Sequence, residues 1–232
     1  MTQPFRPARR RLLVSLAAFP VLGIAAGARA EPVPERTVAS AAELEEAFRS
    51  APDGSRLLLA PGQYGHVRLA DRSFSRGMVL TSADPARRAV FARNLHLDGV
   101  GNMAITGVDF ATAGFVEHRG RMDKVQLGLT GCRDLVVSDA AFTGYIPAAG
   151  EGVDPEAPDL ERHFALDGYA RDVGIAVRDC TDVLAAGLRM TDLRIAVACE
   201  GSDRVRLLGI EVDRALPRVS PAPPDRWRPP PS

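Results

Sequence analysis

Apolar residues in this chain fall in short runs, with one helical stripe near the start. Ser40-Ala41-Ala42-Glu43 reads as a capping box, in which a serine hydroxyl and a glutamate carboxylate satisfy two amide donors left over at a helix start. Leu44, Ala47 and Phe48 then share one face, and Ala51-Pro52-Asp53-Gly54 supplies the break, so the pattern predicts a helix over about 40–50. Beyond it, Leu57–Leu59, His66–Leu69, Met78–Thr81, Ala89–Ala92, Leu95–Leu97 and Met103–Phe110 are brief apolar runs cut by Gly, Asp, Asn and Ser, the punctuation of strands. A two-sheet sandwich and a stack of coils both produce such a series.

Internal repetition separates the two. Asn102-Met-Ala-Ile-Thr-Gly-Val-Asp-Phe110, Asp134-Leu-Val-Val-Ser-Asp-Ala-Ala-Phe142, Asp182-Val-Leu-Ala-Ala-Gly-Leu-Arg-Met190 and Arg204-Val-Arg-Leu-Leu-Gly-Ile-Glu-Val212 superimpose without gaps. A second strand precedes three of them, at Val125–Leu129, Gly174–Val177 and Arg194–Val197. Equivalent positions lie 32, 48 and 22 residues apart. A coil of about 20–25 residues is the unit that a β-solenoid stacks, each burying its apolar side only against its neighbours. The 22-residue step is then one bare coil, and the longer steps are single coils with insertions of about 10 and about 26 residues.

Composition narrows the class. The chain has 232 residues, 46% hydrophobic and 25% charged, with three cysteines, which fits one domain and excludes a disordered chain, a collagen-like chain and a disulfide-dense miniprotein. Its zero formal charge is unevenly distributed. Residues 1–30 hold five arginines and no acid, so the remainder carries 24 basic and 29 acidic groups, a formal −5. Arg9-Arg10-Arg11, the apolar stretch Leu12–Ala28 and the small residues of Ala28-Arg29-Ala30 form a three-part export leader, of twin-arginine or Sec type, cleaved after Ala30. A retained membrane anchor fits less well, because the stretch is short for a span and contains Pro20 and Gly23. The expected location is therefore periplasmic or secreted, with no stable membrane anchor after cleavage. An acidic mature chain argues against a nucleic-acid partner.

Ser40–Phe48 with Ala51-Pro52-Asp53-Gly54, then Leu57-Leu58-Leu59-Ala60-Pro61-Gly62-Gln63-Tyr64, then Gly107-Val108-Asp109-Phe110 resembles the opening of secreted right-handed parallel β-helix proteins of the pectate-lyase-like superfamily, and within it the chondroitinase B and alginate lyase type. The resemblance covers about residues 37–145 and continues as bare coils to about 214. It implies an all-β fold, a short right-handed parallel β-helix over 31–216 with an N-terminal amphipathic capping helix, followed by a Pro-rich tail over 217–232. It also implies a carbohydrate-active protein, a polysaccharide lyase or C5-epimerase acting on a uronic-acid polysaccharide, with calcium as a conceivable cofactor. Non-catalytic members of the superfamily supply the alternative, a periplasmic β-helix that binds glycans or assembles with a partner chain at the C-terminal end of the solenoid. In the chondroitinase B type the lysine base, the arginine acid and the calcium ligands lie in coils beyond the matched region, so those roles are not carried over.

Both insertions leave the coil immediately after the apolar residue that ends the aligned strand, which places them side by side on one flank. The first, from Ala111 to Lys124, carries His118, Arg119, Arg121 and Lys124, the only lysine in the chain. The second, from Thr143 to Asp172, carries Tyr145, Arg162, His163, Tyr169 and Arg171. Elimination or epimerisation at a uronate needs a cation to neutralise the carboxylate and a base to take the α-proton. Lys124, His163 and Arg171 are the catalytic candidates, and His118, Arg119, Arg121, Tyr145, Arg162 and Tyr169 the substrate-binding ones. The plain alternative for all of them is a pair of solvated loops. The acidic run from Glu151 to Glu161 could offer oxygen ligands to a hard cation but lacks the spacing of an EF-hand. Cys132 and Cys180 hold the same place in two repeats, as a disulfide or as a ladder of buried free thiols, while Cys199 has no counterpart. Export of the full chain should yield a mature protein beginning at Glu31, checked by intact mass; retention of residues 1–30 would refute the cleavage.

Overall fold

The computed structural model describes residues 33–112, 124–145 and 172–213. Among these the chain is mostly strand with one helix, α1 (Ala41–Ser50). The strands are β1 (Glu35–Val38), β2 (Arg56–Leu59), β3 (Gly62–Ala70), β4 (Ser73–Ser82), β5 (Ala89–Asp98), β6 (Gly101–Thr106), β7 (Asp109–Ala111) and β8 (Lys124–Thr130). They continue with β9 (Arg133–Ser138), β10 (Ala141–Thr143), β11 (Asp172–Arg178), β12 (Thr181–Ala186), β13 (Arg189–Thr191), β14 (Ile195–Glu200), β15 (Asp203–Leu208) and β16 (Glu211–Asp213).

Two parallel sheets nearly close around one apolar core. The first runs β1-β2-β4-β6-β9-β12-β15. The second runs β14-β11-β8-β5-β7-β10-β13-β16, with β3 beside β5. Strand β5 joins two rows, since its first half pairs with β7 and its second half with β8. The aligned repeats meet in the register that their sequences imply: Phe110 opposite Phe142, Phe142 opposite Met190 and Met190 opposite Val212. The preceding strands do the same, with Leu127 opposite Ile175 and Ile175 opposite Val197.

Each nine-residue repeat bends into two strands. Met103–Phe110, expected as one run, is β6 and β7 with a corner at Gly107, whose φ is 62°. Asp139 takes the same left-handed conformation one turn on, with φ 47°, a region that aspartate tolerates better than most side chains. Conversely, Ala89–Ala92 and Leu95–Leu97 are not separate but form the single strand β5, carried through its irregular middle by pairing with β3. The leading strand β1 was not anticipated, because Glu35-Arg36-Thr37-Val38 has one buried apolar residue, Val38.

The interior is built from columns of in-register side chains. Phe91 stacks on Phe110 at 5.2 Å, and Phe110 on Phe142 at 4.5 Å with planes 4° apart. Tyr64 begins the column and donates its hydroxyl to the Val38 carbonyl at 2.8 Å, so its polar end is satisfied where it is buried. Cys132 and Cys180 form a second column as free, buried thiols. Here the ladder holds, and it has a backbone role: the Cys132 amide donates to Cys180 Sγ at 3.3 Å, and the Cys180 amide donates to Ser202 Oγ at 3.0 Å. The hydrogen bond with Cys180, together with burial, pushes the Cys132 thiol up.

Helix α1 packs Leu44, Ala47 and Phe48 onto the first strands. Its start is a capping box shifted by one residue. Ser40 Oγ accepts from the Glu43 amide at 3.2 Å, while Glu43 Oε2 accepts from the Ala39 amide at 2.8 Å instead of from Ser40. Its last carbonyls are gathered by the Arg72 guanidinium, which donates to Phe48, Arg49 and Ala51 and lies over the Phe74 ring. Replacing Phe110, in the middle of the stack, by alanine should cost about 3–5 kcal/mol of unfolding free energy in urea titration. Replacing exposed Gln63 in the same way should cost under about 0.5 kcal/mol.

Candidate functional site

The two insertions leave the described strands at equivalent places, where a short strand of the second sheet is followed by a longer one. Between β10 and β11 stands segment 146–171, and between β7 and β8 stands segment 113–123. The bases of both segments are adjacent. The Thr112 amide donates to the Thr143 carbonyl at 3.1 Å, and Lys124 stands opposite Asp172 in the ladder. The expected side-by-side departure of the two insertions therefore holds at their roots.

Two of the nominated residues can be placed. Lys124 opens β8, and its backbone pairs with that of Asp172. Tyr145 follows β10, and its amide donates to Asp172 Oδ2 at 2.9 Å, tying the exit of the second segment to its re-entry. His118, Arg119, Arg121, Arg162, His163, Tyr169 and Arg171 lie outside the described residues, as does the acidic run Glu151–Glu161. Among the described residues no three His, Cys, Asp or Glu side chains are grouped to hold a metal ion.

Gln126 locks the corner. It is fully buried, and its Nε2 donates to the Thr143 carbonyl at 2.7 Å and to Thr112 Oγ1 at 3.1 Å, so one side chain bridges the bases of both segments. Its Oε1 is buried without a hydrogen-bond partner among the described residues.

Beside this corner, on the outward side of β3 and β5, sits a polar group that motif reading overlooked. His66 Nδ1 lies 2.5 Å from Asn94 Oδ1, and Asn94 Nδ2 lies 3.1 Å from His96 Nε2. With the amide in this orientation His66 donates from Nδ1, and His96 accepts at Nε2 and is neutral. Turning the amide over reverses both roles, so Asn94 couples the tautomers of the two rings in either case. The rings are 5.8 Å apart. In the next turn Gly128 stands opposite His96, and a Cβ there would collide with His96 Nδ1, so the ring lies over bare backbone. Arg68 and Asp98 form an ion pair at 2.5 Å on the same side. A sequence signal for the group exists. The alternations His66-Val-Arg-Leu and Asn94-Leu-His-Leu place every polar residue outward, and pairing of the strands brings them together.

Elsewhere a hollow of about 190 Å³ lies on the first sheet, lined in part by Arg76, Asn102 and Asp134 around Val79, Ala104 and Val136. None of the nominated residues lines it.

No family model matches the chain, and no curated protein matches it. Among solved structures, the chain is similar to an alginate lyase from Paenibacillus sp. str. FPU-7, with a TM-score of 0.37, 15% identity, and coverage of 70% of this chain and 68% of that one.

Burial, and then repulsion from His66, hold the His96 imidazole below its ordinary range, against a smaller opposing pull from Asp98. As pH falls below about 6.5 the unfolded chain takes up a proton at this position before the folded chain does, so stability present above that pH is lost as pH falls through the folded value. The urea midpoint should drop between about pH 7 and about pH 5 by more in the wild type than in His96→Gln; equal drops would remove His96 from the account.

Proposed function

We propose that this chain is an exported right-handed parallel β-helix that binds an acidic, uronic-acid polysaccharide along its corner row, and acts on it as a lyase or C5-epimerase. The observation that carries this reading is the shared departure of segments 113–123 and 146–171 from neighbouring turns, directly beside the outward group of His66, Asn94 and His96. Parallel pairing of repeats at a bare step of 22 residues supports the solenoid, and α1 packed on the first strands supports a capping helix. The leader at residues 1–30 supports export.

Within this reading a cation neutralises the uronate carboxylate and so acidifies the neighbouring C–H. Arg171 and the other segment arginines would serve that purpose. A base, Lys124 or His163, takes the proton. In elimination the electron pair forms a carbon–carbon double bond as the glycosidic C–O bond breaks, and a proton goes to the departing oxygen. In epimerisation the proton returns to the opposite face and no bond to the neighbouring sugar breaks.

A second reading, assembly with a partner chain at the last turn, draws on a separate observation. Leu207 and Val212 are each 48% exposed and Leu208 is 57% exposed, all on β15 and β16, the last described strands of the two sheets. Apolar side chains on an unpaired edge favour association.

Purified protein incubated with alginate, pectate, and chondroitin or dermatan sulfate, with and without calcium, should raise the ultraviolet absorbance of unsaturated products on one of them, and either Lys124→Ala or His163→Ala, whichever removes the base, should abolish the gain. Configuration of the uronates, followed by NMR, tests epimerisation. Absence of both signals on every substrate would remove the enzymatic reading and leave the assembly reading, which predicts a concentration-dependent mass in sedimentation.

A further inference from the structure

We propose that Arg93, with His66 beside it, forms the subsite that takes the carboxylate of a uronate residue, and that Asn94 and His96 position His66 for that contact. The inference rests on the uronate-binding reading above and names the group that would meet the acid.

The argument begins with a backbone irregularity. Between Tyr64 and Val67, both buried, β3 has two residues, Gly65 and His66; between their buried partners Phe91 and Leu95, β5 has three, Ala92, Arg93 and Asn94. The register shifts here, which is the signature of a β-bulge. Strict alternation after Phe91 would turn residue 93 inward. The extra residue instead leaves Arg93 exposed, next to the asparagine whose amide holds both histidines. A bulge of this kind re-aims a side chain, and the one re-aimed here is a cation.

Charge pairing makes that cation available. Arg68 pairs with Asp98, Arg87 with Asp84, and Arg88 with Asp109 and Asp139. No ion pair with a described residue engages Arg93. Its planar fork is therefore open to a ligand, and two parallel hydrogen bonds from guanidinium to carboxylate are the strong form of such a contact.

Location ties the subsite to the candidate chemistry. Leu95 pairs with Leu127, so the bulge at Arg93 lies one strand away from the start of β8 at Lys124. Arg93, Lys124 and the roots of both segments thus occupy successive levels of one row. A polymer lying along that row would present one uronate to Arg93 while the next sugar sits toward Lys124.

Calorimetric titration of the full chain with oligogalacturonate, alginate and chondroitin oligosaccharides, and with their carboxyl-reduced counterparts, tests the proposal in the wild type, Arg93→Ala, Arg93→Lys and His66→Gln. Loss of a charge-assisted carboxylate contact should weaken binding of the acidic oligomer about tenfold or more in Arg93→Ala, and less in Arg93→Lys, which keeps the charge without the fork. His66→Gln should weaken it as well, and none of the three should alter binding of a carboxyl-reduced oligomer. Because Arg93 is exposed, unchanged urea midpoints would verify the fold of its variants. Wild-type affinity retained in Arg93→Ala and Arg93→Lys overturns this subsite while leaving the uronate-binding reading in place. Failure of the wild type to bind any of the three acids overturns that reading and the subsite with it.

Discussion

Parallel pairing in register, broken only at local bulges, is the constraint on which the other features depend. A parallel strand cannot be reached by a tight turn, so each strand here returns through a crossover to lie in the same direction beside an earlier strand of its sheet. Whatever residue type lies at a given phase therefore forms a column. Phe91, Phe110 and Phe142 stack because they share a phase, and Cys132, Cys180 and Ser202 succeed one another because they share a different one. The same rule acts on the outside. It collects the places where the chain departs from the ladder into one row, since a departure at a given phase on one level lies beside a departure at that phase on the next.

Corners impose a second demand that the columns cannot meet by packing. Those at Gly107, Gly131, Asp139 and Gly187 turn the chain through left-handed conformations, and their amides donate to carbonyls of neighbouring strands. The protein answers with short side chains and hydrogen bonds between levels: Arg133 to the Val100 carbonyl, Thr181 to that of Cys132 and Asp203 to that of Cys180, all amide donors. Where a cysteine or serine stands just before such a donor, its side chain takes the amide of the level before it. This explains why two thiols in one column can stay reduced and still be structurally useful, as weak acceptors in a place where an alanine would leave an amide unpaired.

Much of this was legible in the sequence because it is periodic. The nine-residue repeats matched in the registers that the structure shows, the helix start at Ser40 was readable from its cap, and the two insertions were recognisable as extra length at one phase. What was missed is what breaks the period or arises only when strands meet. The corner within Met103–Phe110 is invisible to an apolar count, since Val108 and Phe110 are both buried on either reading. The bulge at Arg93 makes one continuous strand look like two runs. His66 and His96 are unremarkable thirty residues apart, and become a group only because β3 and β5 pair with Arg68 opposite His96.

That last case bears on how an acidic protein could hold an acidic polymer. A formal charge of −5 beyond residue 30 gives no long-range attraction to a polyanion, and at physiological salt only charges within about 8 Å act strongly on one another. Recognition must then come from cations that are both exposed and not already spent on neighbouring carboxylates. Across the described surface seven arginines fail the second condition: Arg49, Arg56, Arg68, Arg87, Arg88, Arg178 and Arg204 each face an aspartate or glutamate. Such pairs stitch levels together, as Arg88 does in reaching Asp139 from two turns away, and in doing so they remove charge from the surface. A cation meant for a ligand has to be kept out of that stitching. At Arg93 the bulge leaves such a cation exposed, and no ion pair with a described residue engages it.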